Sequence, residues 1–79
     1  MDFKTLLKKL VRNRYKDDLH SAMCYFKSGR VAYIEARFDK SLGVIIRTED
    51  TPQMDFSTAE EVVDLFEIQY GDELIRFET

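Results

Sequence analysis

The chain has one cysteine (Cys24), one histidine (His20), one proline and three glycines among its 79 residues. A single cysteine excludes an internal disulfide and fits a reducing cytoplasm better than a secretory route. No pair or quartet of Cys and His has zinc spacing, so no metal is expected. The acids lack the D-x-D-x-D-G order of a calcium loop, there is no glycine-rich phosphate loop, and no cofactor is expected. No apolar run approaches the length of a membrane span, and MDFKTLLKKL alternates charges with leucines instead of forming the apolar core of a signal peptide. Catalysis is equally short of parts. A cysteine nucleophile needs a base within hydrogen-bond reach. His20 and Cys24 sit on one predicted strand, roughly 13 Å apart at about 3.3 Å per residue. Paired carboxylates on a convex helix lack the dry cleft that would tune one of them as an acid. The sequence predicts no enzyme.

What is present suits a small packed domain. A hydrophobic share of 44% and a charged share of 34% lie well outside the disordered class. Six Phe and four Tyr can build a core without metal or disulfide, although the length is near the lower limit for folding on a core alone. One domain spanning 1–79 is expected. Its net charge of −3 conceals a sorting. Residues 1–48 carry eleven basic and five acidic side chains, a balance of +6, whereas residues 49–79 carry one and ten, a balance of −9. Such asymmetry bears on partners and association, not on fold.

The clearest local signals lie in Ser57–Tyr70, STAEEVVDLFEIQY. Ser57 and Glu60 have capping-box spacing, and Ala59, Val62, Val63, Phe66 and Tyr70 recur at helical intervals. Glu60, Asp64 and Glu67 fall on the opposite face, flanked by Glu61, with no Lys or Arg inside the helix. Like charges at this spacing repel by a few tenths of a kcal/mol per pair, and acids near the carboxyl end oppose the helix dipole. Something outside the helix should compensate. Near the amino end, Asp2 can cap a helix over Phe3–Asn13 whose apolar stripe is Phe3, Leu6, Leu7, Leu10 and Val11 and whose basic row is Lys4, Lys8 and Arg12.

Between the helices the period changes to two. Leu19–Lys27 and Arg30–Asp39 read as strands joined by a two-residue turn at Ser28-Gly29. That turn sets Tyr25 opposite Ala32, Met23 opposite Ile34, Ser21 opposite Ala36 and Leu19 opposite Phe38. It leaves Phe26 with Val31, Cys24 with Tyr33, Ala22 with Glu35 and His20 with Arg37 on the other face. A loop over Asp39–Gly43 leads to a third strand, Val44–Glu49, with Phe38 opposite Val44, Ala36 opposite Ile46 and Glu35 opposite Arg47. Met54–Phe56 is a short extended piece after Pro52, Gly71 stops the second helix, and Glu73–Glu78 is a last strand with Ile75 and Phe77 inward. The predicted fold is α+β, a three- to four-stranded antiparallel sheet with both helices on one face, in the order α-β-β-β-α-β. The other sheet face, with Phe26, Val31, Tyr33 and Ile45 among His20, Glu35, Arg37 and Arg47, stays open.

The helix-strand-strand-strand-helix order resembles the double-stranded RNA-binding domain over about 70 residues. The resemblance stops at its motifs: STAEEVVDLFE stands where that family has a lysine-rich KKxAK clamp, and Asp18-Leu19-His20 replaces its Gly-x-His. No binding residue is carried over. In size, lack of catalytic groups and acidic surface the chain is similar to the small phage-encoded inhibitors, including anti-CRISPR proteins, over its whole length. The resemblance implies a cytoplasmic protein of a bacterial host that binds a basic, nucleic-acid-handling surface as a nucleic-acid mimic.

Three readings follow. In the first, Glu49, Asp50, Asp55, Glu60, Glu61, Asp64 and Glu67 bind a protein with a basic surface. Its plainer alternative is that helix 1 neutralises these acids across the seam between the helices. In the second, Phe26, Tyr33, Arg37 and Arg47 on the open sheet face stack and neutralise a nucleic acid directly. In the third, two such faces pack together in a homodimer.

Overall fold

The computed structural model describes residues 1–13, 18–37 and 42–79. The connection after Asn13, the loop before Gly43 and the expected pairings of Phe38 fall wholly or partly outside the described residues. Helix α1 spans Phe3–Asn13, the predicted range. Asp2 Oδ1 accepts the Thr5 N–H at 2.8 Å, which satisfies one of the donors a helix start leaves open. Phe3, Leu6, Leu7, Leu10 and Val11 are buried, while Lys4, Lys8, Lys9 and Arg12 are exposed.

Five antiparallel strands follow: β1 (Ser21–Phe26), β2 (Val31–Ala36), β3 (Val44–Thr48), β4 (Met54–Phe56) and β5 (Leu74–Glu78), in the order β4-β3-β2-β1-β5. The fold is α+β, with one strand more than the highest expectation. The short piece Met54–Phe56 pairs with β3, and β5 returns across the sheet to pair with β1. Helix α2 (Ala59–Val63) runs on as a π-helical segment over Asp64–Gln69. Its cap is Thr58, not Ser57. Thr58 Oγ1 accepts the Glu61 N–H at 3.2 Å and donates to Glu61 Oε1 at 3.0 Å, so the cap stands one residue later than expected and its glutamate meets the cap hydroxyl in place of the backbone N–H of a capping box. In the π segment Tyr70 N–H donates to the Leu65 carbonyl, five residues back, at 2.9 Å. Leu65 joins Ala59, Val62 and Phe66 among the buried residues, with Tyr70 half-buried beside them.

The first hairpin differs from the expectation by one residue. Tyr25 pairs with Val31 and Cys24 with Ala32. The loop has three residues, closed by Gly29 at φ 95°, whose N–H donates to the Phe26 carbonyl at 3.0 Å. A slip of one residue turns a whole strand over. Ala22, Cys24 and Phe26 therefore face the core with Ala32, Ile34 and Ala36. Ser21, Met23 and Tyr25 instead share the other face with Val31, Tyr33 and Glu35. In the second hairpin Ala36 pairs with Val44 and Ile34 with Ile46, a two-residue shift that preserves the faces. Ile75 does not point inward. Arg76 pairs with Tyr25 and Leu74 with Phe26, so Ile75 is the extra residue of a bulge and is 65% exposed.

The helices and the sheet meet at an aromatic cluster. Phe26 stacks on Phe66 with centroids 4.4 Å apart, and Phe3 approaches both edge-on at 5.8 and 6.0 Å. At the other end of α1, Gly43 N–H donates to the Val11 carbonyl at 3.0 Å, tying the last turn of the helix to the sheet. Gly43 has φ 138°, and a Cβ there would overlap the carbonyl oxygen of Phe56. Gly43→Ala is expected to lower stability by about 1–3 kcal/mol through backbone strain and a displaced β4. Urea unfolding would read this as a fall in midpoint at unchanged slope, and an unchanged midpoint would refute it.

Candidate functional site

Burial of Ala59, Val62, Leu65 and Phe66 on the sheet side pins Glu60, Glu61, Asp64 and Glu67 outward, and all four are exposed. Helix α1 packs beside α2. Even so, among the described residues no ion pair joins α1 to Glu60, Asp64 or Glu67. The reason is geometric. Each helix turns its apolar stripe to the sheet, so both charged rows point away from the sheet rather than at each other. A basic stripe and an acidic stripe thus lie side by side on the helical layer.

The remaining predicted acids are distributed differently. Glu49 is exposed near the end of β3. Asp50 pairs with Arg30 at 3.2 Å and accepts the Thr48 hydroxyl at 3.0 Å. The Thr48 hydroxyl bond, helped by the Arg30 charge, holds Asp50 below the usual carboxylate range and outweighs the opposing effect of burial. Arg30 also covers the Tyr70 ring at 3.8 Å. Asp55 lies on the open sheet face opposite Ile45, with Arg37 Nε at 3.8 Å. The seven acids therefore do not form one patch. Glu60, Asp64 and Glu67 stay together without counter-ions among the described residues, while Asp50 and Asp55 belong to sheet ion pairs.

Asp72, part of the acidic surplus in sequence, is buried and structural. It accepts the Ser28 N–H at 3.0 Å, the Ser28 hydroxyl and the Glu73 N–H at 3.0 Å, so it clasps the first hairpin turn to the end of the π segment. Burial alone would raise its pKa. The bonds from Ser28 and Glu73, with Arg30 nearby, outweigh that and hold it below the ordinary range.

The open sheet face also departs from the expectation. Phe26 is not on it, being 3% exposed in the aromatic cluster. Tyr33, Arg37 and Arg47 remain, and Tyr25 and Arg76 join them. Arg76 lies over the Tyr25 ring at 4.0 Å and Arg47 over Tyr33 at 5.9 Å. Each arginine also meets a carboxylate: Arg47 reaches Glu35 at 3.1 Å, Arg37 Asp55, and Arg76 Glu78. The Glu35–Arg47 pair forms although Glu35 stands opposite Ile45, because a diagonal neighbour is within reach of an arginine. Tyr25 was legible only through the turn: with three loop residues before Arg30, it faces outward.

Among the described residues no group of three or more His, Cys, Asp or Glu is placed to hold a metal ion, and no helix is long and apolar enough to cross a membrane. Cys24 is fully buried, and burial pushes its thiol up to about 12. No protein-family model, curated protein or solved structure matches the chain.

Two outcomes follow from these environments. At pH 8 a thiol of pKa about 12 is ionised to about one part in ten thousand. Cys24 should thus react with a disulfide reagent only as fast as the protein opens, and labelling at the rate of a free thiol would contradict this burial. For Asp72 the folded-state pKa is depressed, so its contribution is complete above the unfolded value, about 3.9, and fades as pH falls through the lower folded value. Asp72→Asn should cost about 1–3 kcal/mol at neutral pH by loosening the turn. The gap between wild type and variant, followed by urea unfolding, should be flat above about pH 5 and narrow in acid. A gap that widened toward low pH would contradict the assignment.

Proposed function

We propose that this chain is a non-enzymatic protein-binding module, an inhibitor that sets its acidic helix face against a basic, nucleic-acid-handling surface of a partner, in the manner of the small phage-encoded inhibitors it is similar to. The observation that carries this reading is the exposed row Glu60, Asp64 and Glu67, which no ion pair among the described residues neutralises. At helical rise these residues stand roughly 4.5–6 Å apart along the axis, a rigid line of anions that resembles the charge of a phosphate strand. A packed helix holds them in place before the partner arrives, so little side-chain or backbone order is lost on binding. Opposite fields speed encounter, and that advantage shrinks as salt screens it.

Glu61 flanks the row, Glu49 stands apart from it near the end of β3, and Asp50 and Asp55 exchange an existing ion pair for any new one. The lysines and Arg12 of α1 lie beside the row and narrow the surfaces that fit it. The partner's positive charge must end where this chain's positive stripe begins. Specificity of that kind excludes a uniformly basic surface such as a polylysine tract.

The test is capture of the inhibited complex from a host lysate by immobilised wild type and by Glu60→Lys/Asp64→Lys, with folding checked by circular dichroism. The wild type should retain a basic nucleic-acid-handling protein at about 50 mM salt and release it as screening shortens toward 8 Å near 0.15 M and below beyond that. The double variant should retain none of it. Equal capture by the folded double variant would remove the helix face from consideration.

A further inference from the structure

The sheet has two edges of different character. The β4 edge is three residues long and follows Pro52, which cannot donate a bond. The β5 edge is five residues, LIRFE, without proline or lysine, and among the described residues no strand pairs with its outer side. Phe26 N–H and C=O and the His20 carbonyl turn toward β2 and the loop that closes onto it. By alternation, Met23 and Tyr25 bond to β5, opposite Glu78 and Arg76. Phe77, between those two, therefore directs its own N–H and C=O away from the sheet.

That free edge lies along a groove rather than on a bare rim. Phe3, Leu74, Ile75 and Phe77 supply apolar walls, and Glu67 and Glu73 supply carboxylates. Ile75, pushed out by the bulge, is 65% exposed in the same groove. Arg76 also lines it, but its guanidinium is bound to Glu78. Backbone groups and acids without partners among the described residues, together with apolar walls, ask for an extended segment with basic and apolar side chains.

We propose that the β5 edge takes an extended peptide segment of the partner as a sixth strand, with a residue opposite Phe77 exchanging both backbone bonds, apolar side chains against Phe77 and Leu74, and a Lys or Arg at Glu67 and Glu73. This inference takes from the preceding reading only that the partner is basic, and it names how part of that partner binds. Backbone pairing supplies affinity in this mode, and the side-chain pattern supplies selectivity.

The experiment uses the whole chain and the synthetic peptide KTVTVTK, whose lysines and valines share one face of a strand. In amide spectra the peptide should shift Ile75 and Phe77 and slow exchange of the Phe77 amide. Replacing its lysines by glutamates, or making Glu67→Lys/Glu73→Lys, should weaken binding at least tenfold at low salt, and combining the two should restore it. Methylating the backbone nitrogens of the central residues should abolish binding, as should Ile75→Lys, a change remote from the core. No shift at millimolar peptide, or equal binding of the methylated peptide, would overturn the inference. Loss of peptide binding in Glu60→Lys/Asp64→Lys would also overturn it and assign the peptide to the helix face. Either result leaves the helix-face reading to its own capture test, and failure of that test leaves the edge to this one.

Discussion

Phe26 lies nearly flat on Phe66, and Phe3 meets the edge of both rings. One residue from each of the sheet, the second helix and the first helix is thereby held in a single contact. Aromatic pairs of this kind add about 0.5–1.5 kcal/mol beyond the area they bury, a large share of the stability of a domain this small. The contact exists only because the β1–β2 turn has three residues. With two, Phe26 would project from the opposite face, and Tyr25 would need a place for its hydroxyl in an apolar interior. Gly29, in a backbone region that side chains avoid, is what permits the longer turn.

The same turn is secured from outside by Asp72. Its carboxylate accepts from Ser28 across forty-four positions of sequence, so the hairpin tip, the end of the π segment and the start of β5 form one unit. The hydrogen bonds that lower its pKa are also what make its burial tolerable, since an ion taken from water without partners would be costly. One member of an acidic cluster is in this way an internal fastener, while its neighbours in sequence remain on the surface.

Charge sorted along the chain stays partly sorted in space. The sheet pairs its arginines with carboxylates drawn from both halves of the sequence: Arg30 with Asp50, Arg37 with Asp55, Arg47 with Glu35 and Arg76 with Glu78. Of these four, Glu35–Arg47 joins neighbouring strands, Arg76 and Glu78 lie two apart on β5, Arg37 reaches past β3 to Asp55, and Arg30 and Asp50 meet just beyond the strand ends. Among the described residues no ion pair joins the two helices, because each turns its apolar stripe to the sheet and its charges away from it. The two stripes of opposite sign on the helical layer, and the free edge of β5 beneath one of them, follow from that arrangement.

Local patterns were enough to read α1 with its Asp2 cap, the apolar face of the second helix, the antiparallel sheet and the outward row Glu60, Asp64 and Glu67. All of these depend on periods and caps that neighbours in sequence set. Turn length was not readable, since Lys27-Ser28-Gly29 suits a two-residue or a three-residue loop equally, and the choice depends on whether Phe26 or Tyr25 fits the space left by Phe3 and Phe66. Nor could spacing reveal that β5 crosses to the far side of β1, that its bulge turns Ile75 outward, or that Asp72 is buried at Ser28. Those outcomes are set by contacts between distant segments, where packing of whole layers chooses among local alternatives of nearly equal energy.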